Sequence, residues 1–175
     1  MPANAKTFVT FAYGSNMLSS RIKERCSSAC PLGIAELHGY ELKWHKRSKD
    51  ESGKCDVVQS KDANQIVYGV LYEITESQKS DLDKAEGLGN GYEAKQVQVV
   101  FKGTARTVSI YVATKMDSSL KPYTWYKAFV VAGAKEHKLP SKYIEHLEAA
   151  EATQDPDYKR HERNSQLLKG NSRSF

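Results

Sequence analysis

Before Thr114 the chain is dominated by short segments rich in β-branched and aromatic residues, each closed by a turn signal. Thr7–Ala12 is the first, and it runs straight into Gly14-Ser15-Asn16. Two more flank Gly39 between Ile34 and Arg47, beyond which Lys49–Lys54 reads as a polar loop. Cys55–Gln59 and Ile66–Ile74 follow; alternation in the latter leaves one face more apolar than the other. Glu93–Phe101 and Ala105–Thr114 read as a hairpin across Lys102-Gly103-Thr104. Strands this short and this closely linked predict an α+β fold. A mostly antiparallel sheet should curl into a small β-barrel, flanked by two or three helices.

Helical signals punctuate this pattern. Met17–Arg25 reads as a short helix with Ser15 or Asn16 as its N-cap. Thr75-Glu76-Ser77-Gln78 has the form of a capping box, opening a helix that ends at Glu86 before Gly87. Tyr123–His137 is a strong helix, broken by Pro140, and Ser141 caps a last helix to about Glu151. From Gln154 the chain turns polar, so residues 1–153 are expected to form one domain and 154–175 a flexible tail.

Composition excludes several classes. No window approaches the ~18 apolar residues of a membrane helix, and MPANAKTFVT lacks a secretory pattern, so a cytoplasmic protein is expected. Cys26, Cys30 and Cys55 are an odd set, which argues against a disulfide framework. Neither they nor the five histidines show metal-ligand spacing, so no metal is expected. The 26 basic and 21 acidic residues give a net charge of +5, spread along the chain. That favours anionic small molecules slightly and gives no nucleic-acid footprint. GxSxG, P-loop and GxGxxG patterns are absent.

Two places break local rules. Glu86 shares a helix face with Leu82 and Ala85, and it stands at the helix C-terminus. Burial and the helix dipole both disfavour a negative charge there, which suits a general acid/base. Spacing alone also permits an exposed residue in a frayed last turn. The turn Tyr13-Gly14-Ser15-Asn16 offers free backbone N–H groups at a helix start, fit for a carboxylate or an oxyanion. By itself it also reads as an ordinary helix cap. Tyr126 shares a face with Phe129, Val130 and Gly133 and reads as a core tyrosine or a hydroxyl aimed into a pocket.

Taken in order, these segments resemble the gamma-glutamylcyclotransferase family. FAYGSN (Phe11–Asn16) is similar to that family's substrate loop. LDKAEG (Leu82–Gly87) resembles the segment carrying its catalytic glutamate, with Glu86 on that position. Gly91-Tyr92 and YKAFVVAGAKEHKLP (Tyr126–Pro140) complete the match, although His137-Lys138 departs from it. The resemblance spans roughly residues 8 to 150 and weakens between Gly33 and Lys61. It implies a barrel flanked by helices, no cofactor, and often a homodimer. It further implies a small-molecule γ-glutamyl substrate bound by Thr10, Phe11, Ala12, Tyr13, Gly14, Ser15, Asn16 and Tyr126, with Glu86 catalytic. The expected reaction releases 5-oxoproline from a γ-glutamyl amino acid. Alternatives on the same scaffold are a γ-glutamylamine, a γ-glutamylated natural product, or a non-catalytic protein whose basic tail (Lys159, Arg160, Arg163, Lys169, Arg173) docks to acidic partners.

Overall fold

The computed structural model describes residues 5–171; residues 1–4 and 172–175, Arg173 among them, lie outside the described part. Among the described residues seven strands form: β1 (Thr7–Ala12), β2 (Cys30–His38), β3 (Tyr40–Arg47), β4 (Gly53–Gln59), β5 (Ile66–Thr75), β6 (Tyr92–Phe101) and β7 (Thr104–Ala113). Five close a barrel in the order β1-β5-β2-β6-β7. Most neighbours are antiparallel, as when Phe11 faces Leu71 and Ala12 faces Val70 across β1 and β5. The β6–β7 hairpin turns on Lys102 and Gly103, both at positive φ (50° and 77°), the backbone that a two-residue hairpin turn requires.

Closure rests on a narrow parallel seam. Thr10 of β1 pairs with Ser109 of β7, and the Thr10 hydroxyl donates to the Ser109 carbonyl at 3.3 Å. Phe11, Leu37, Val67, Leu71, Val99, Val108 and Ile110 are buried in the core. Each large apolar side chain removed from water contributes about 2 kcal/mol. Gly69 of β5 carries no side chain for good reason, because a Cβ there would strike the Ala12 carbonyl and the Phe11 ring.

The remaining two strands, β3 and β4, pair with each other and form a separate two-stranded ribbon. Gly39, at φ 74°, lets the chain leave β2 and start β3 without the two pairing. Side chains and loops fix the ribbon to the barrel. Asp56 is 2% exposed; its Oδ1 accepts the Ala113 N–H at 2.8 Å and its Oδ2 lies 2.7 Å from His45 Nε2. The Tyr92 hydroxyl donates to the Cys55 carbonyl at 2.7 Å.

Among the described residues five α-helices surround this frame: α1 (Ser19–Arg25), α2 (Lys79–Glu86), α3 (Thr124–Glu136), α4 (Ser141–Ala149) and α5 (Tyr158–Asn171). None is long and apolar enough to cross a membrane, among the described residues. Both expected caps differ from the sequence reading. A 3₁₀ turn, Ser15–Met17, precedes α1, whose N-cap is Leu18, and neither Ser15 nor Asn16 makes a side-chain capping bond. Thr75 likewise makes no capping bond, and the Gln78 Oε1 instead accepts from the Ser28 backbone and hydroxyl at 3.0 and 2.6 Å. Tertiary partners outcompete the local bonds in both places.

The flexible tail expected after Gln154 is also corrected. Asp155 is 3% exposed, and Trp125 Nε1 donates to it at 2.8 Å. Arg160 Nε and Nη2 both bond it at 2.6 Å. A two-pronged guanidinium–carboxylate pair on a buried anion outweighs the low apolar content of the segment. α4 is therefore not the last helix.

Candidate active site

The chemistry gathers where β1 ends. The chain leaves the barrel at Ala12, turns through Gly14, and tightens into the Ser15–Met17 turn. Among the described residues, the backbone N–H groups of Gly14, Ser15 and Asn16 donate to no backbone acceptor in a turn or loop. Close packing holds this turn in place. Gly133 of α3 lies so near that a Cβ there would sit 2.5 Å from the Leu18 nitrogen. A Cβ on Gly14 would sit 3.1 Å from both Cys55 Cβ and the Tyr126 hydroxyl.

Glu86 faces the turn from the last residue of α2. Gly87 ends that helix at φ 72°, a left-handed cap. The Glu86 side chain is 14% exposed, so the frayed-turn alternative does not hold. Its Oε1 accepts from Arg25 Nη1 at 2.9 Å and from the Asn16 side-chain amide. Arg25 Nη1 also donates to Asn16 Oδ1 at 2.8 Å, closing a three-residue clamp. Both contacts fall on Oε1, and no described residue bonds Oε2.

All nine sequence-selected residues, Thr10 through Asn16 together with Glu86 and Tyr126, line one inner cavity of about 40 Å³. Ile22, Cys55, Leu82, Tyr92 and Tyr111 line it too. Its phenols and its thiol are held neutral. Burial raises the Tyr13 and Tyr126 phenols well above their ordinary range. Burial likewise pushes the Cys55 thiol up to about 12, so it is a poor nucleophile at neutral pH. The Tyr126 hydroxyl accepts the Cys55 N–H at 3.1 Å. The Tyr13 hydroxyl is already used, donating to the Tyr111 carbonyl, so Tyr13 serves the site through its backbone.

A second, outer cavity of about 220 Å³ shares Ser15, Glu86, Tyr92 and Tyr126 with the first. It also holds Arg21, Arg25, Lys46, Lys54 and Asp50. Lys54 lies 2.9 Å from Asp50 and over the Trp125 and Tyr126 rings, 4.3 and 4.4 Å from their centroids. Burial pulls its ammonium down to about 8. Sequence reasoning missed Arg25, Cys55 and the outer cations. Their partners lie on distant elements, and no local pattern marks them. Among the described residues, no group of three or more His, Cys, Asp or Glu is placed to hold a metal ion.

A small closed barrel with one clamped carboxylate facing an N–H-rich turn defines a class of compact barrel enzymes, and sequence comparison places the chain within it. The AIG2-like family matches residues 66–147. A protein of Mus musculus named gamma-glutamylcyclotransferase is 33% identical over 159 residues, covering 83% of this chain and 80% of its own length. Its Homo sapiens namesake is 33% identical over 153 residues, with the same coverage. A solved structure titled gamma-glutamyl cyclotransferase superposes with a TM-score of 0.82 at 29% identity, covering 92% of this chain and 99% of the other. The chain belongs to the gamma-glutamylcyclotransferase family, and it is an enzyme of that family with a cyclotransferase role.

Proposed function

We propose that the enzyme cleaves a γ-glutamyl amide by attack of the substrate's own α-amine, releasing 5-oxoproline and the amine or amino acid. The observation that carries this is Glu86, clamped through one oxygen at the wall shared by the two cavities. From there one carboxyl group reaches both the attacking and the leaving nitrogen.

The reaction is unimolecular in substrate, so the protein's first task is to fold the glutamyl chain. Held in a near-attack geometry, the amine and γ-carbon lose much of their barrier to ring closure. The α-ammonium gives one proton to Glu86. The freed amine attacks the γ-carbon, a C–N bond forms, and the carbonyl oxygen takes up the electron pair. N–H groups of Gly14, Ser15 and Asn16 are suited to hold that oxyanion or the substrate α-carboxylate. Glu86 then passes its proton to the leaving nitrogen. The oxyanion collapses and the original amide C–N bond breaks. The ring nitrogen sheds its second proton to the emptied Glu86, leaving the neutral lactam. Tyr126, protonated and at hydrogen-bond distance from the Cys55 N–H, orients the bound substrate.

The direct test is 5-oxoproline release from γ-glutamyl amides by wild type beside Glu86→Gln. Release by wild type and its near-abolition in a folded Glu86→Gln protein support the reading. Undiminished release by the variant would remove Glu86 from the mechanism.

A further inference from the structure

Glu86 is only as well placed as the helix that carries it. α2 is eight residues long and buries one side chain, Leu82. A single apolar anchor resists lifting of the helix but does not by itself stop it turning about its own axis. Glu86 stands one turn beyond Leu82, so such a turn would sweep its carboxylate along the wall between the cavities. The clamp alone does not prevent this. Arg25 and Asn16 hold the Glu86 Oε1 through side chains, which can follow a moving partner.

A second contact opposes the rotation. Asp83 is the residue after Leu82, about 100° further round the helix, and three residues before Glu86. Its Oδ1 accepts the Tyr111 hydroxyl at 2.5 Å, a short bond to a charged acceptor. The Asp83 backbone also secures the helix end, because its carbonyl accepts the Leu88 N–H at 2.9 Å. Lys79 reaches the same carboxylate at 2.9 Å, but it lies on α2 itself and ties the helix to nothing else.

Tyr111 belongs to the barrel. It sits in β7, is 8% exposed, and faces Ala94 across the β6–β7 ladder. Its hydroxyl goes to Asp83, while its backbone carbonyl accepts the Tyr13 hydroxyl. One barrel residue therefore holds the N–H-rich turn on one side and α2 on the other. Burial raises the Tyr111 phenol above its ordinary range and Asp83 raises it further, so it stays a donor at neutral pH.

Neither residue takes part in the proton transfers proposed above. We infer that Tyr111 and Asp83 are positioning residues, and that the bond between them fixes α2 about its axis so that the Glu86 carboxyl meets both the attacking and the leaving nitrogen. The inference rests on the cyclotransferase reading above and adds to it what aims the carboxylate.

The test measures 5-oxoproline release from γ-glutamyl-alanine. Tyr111→Phe removes one oxygen atom and keeps the ring, so the cavity wall stays in place. It should lower kcat by about 10- to 100-fold while KM changes by less than about 2-fold, the pattern of a misplaced catalytic group. Asp83→Ala should do the same. Asp83→Asn keeps an oxygen that can accept the phenol and should lose less than about 3-fold. Because both residues act through Glu86, adding Tyr111→Phe to Glu86→Gln should not slow the residual rate further. An unchanged kcat in Tyr111→Phe would overturn the inference, whether or not Asp83→Ala folds. A change confined to KM would overturn it by making Tyr111 a substrate contact. A Tyr111→Phe loss of equal size in the Glu86→Gln background would overturn it as well, since the effect would then bypass Glu86. A pH–rate profile that loses a limb in Asp83→Asn would do the same, by making Asp83 a proton carrier. All four outcomes leave wild-type turnover intact, whereas a wild type that releases no 5-oxoproline would overturn the reading beneath.

Discussion

The two cavities share a wall and differ in almost everything else. The inner one is walled by Phe11, Tyr13, Tyr92, Tyr111 and Tyr126, has a single carboxylate, and offers backbone N–H groups in place of cations. The outer one carries four cations and two carboxylates within a lining half made of charged residues. The buried phenols of the inner wall strengthen each polar contact made there, because little water screens it. The outer wall instead presents charge beside it. The two walls also come from different parts of the chain. The inner wall comes mainly from β1, its turn and α2, whereas Lys46 and Lys54 come from the ribbon.

Removing the inner carboxylate is the most severe way to break this division. Glu86→Gln keeps the shape and cannot move a proton, so turnover should fall by about 10²–10⁴-fold. The melting temperature should stay close to that of wild type, and steady-state assay beside a thermal melt reads both. A variant that lost its fold along with its activity would show the carboxylate to be structural.

The next largest effect should come from behind the outer wall. Trp125 lines the outer cavity and is held from outside by Asp155, which Arg160 also grips. Asp155→Asn should cost about 3 kcal/mol of stability, the scale for breaking a buried pair. It should also shift Trp125 fluorescence. Arg160 and the other donors hold the Asp155 carboxyl well below the usual carboxylate range. Its folded value is depressed, so its stabilisation is present at neutral pH. That contribution is lost as pH falls below about 4, toward the folded value. An acid titration of α5 by helix content and Trp125 emission checks it, and a signal flat between pH 5 and 2 would refute it.

Arg25 lines the outer cavity and bonds Asn16 and Glu86 of the inner one. Arg25→Met frees Glu86 Oε1 from its cation while Asn16 still holds it. A fall in kcat of about 10-fold, larger than any change in KM, is expected for a residue that positions the proton shuttle. A change confined to KM would place Arg25 with the outer cations instead.

The smallest effect should follow Gly14→Ala. The added methyl meets Tyr126 and Cys55 at 3.1 Å, so the inner cavity narrows from one side. KM should rise several-fold for every γ-glutamyl substrate alike, since the outer cavity is untouched. A substrate-dependent change would show that Gly14 contacts the leaving group.

Sequence reasoning reached the inner cavity and stopped at the outer one. The β1 segment, the turn after it and the helix ending at Glu86-Gly87 are each written locally, in β-branched runs and in a glycine with its left-handed backbone. The hairpin across Lys102-Gly103 is legible for the same reason. Arg25 sits in the last turn of α1, where any basic residue suits the helix dipole, and nothing nearby announces a partner 61 positions away. The segment after Gln154 misleads. Its composition is that of a solvated tail, and Trp125, 30 residues earlier, joins Arg160 in converting Asp155 into a buried anchor.

The sequence by itself determined which segments are strands, where the chain turns, and that one carboxylate stands at the end of a helix whose next residue is a glycine. Those properties depend on backbone preference and hydrophobic period, which act over a few residues. Tertiary structure decided that five strands close while two form a ribbon, that Asn16 spends its amide on Glu86 and not on a helix cap, and that four cations gather beside it. Each of these depends on desolvation and charge pairing between groups far apart in the chain, and their energies exist only once the barrel has brought those groups together.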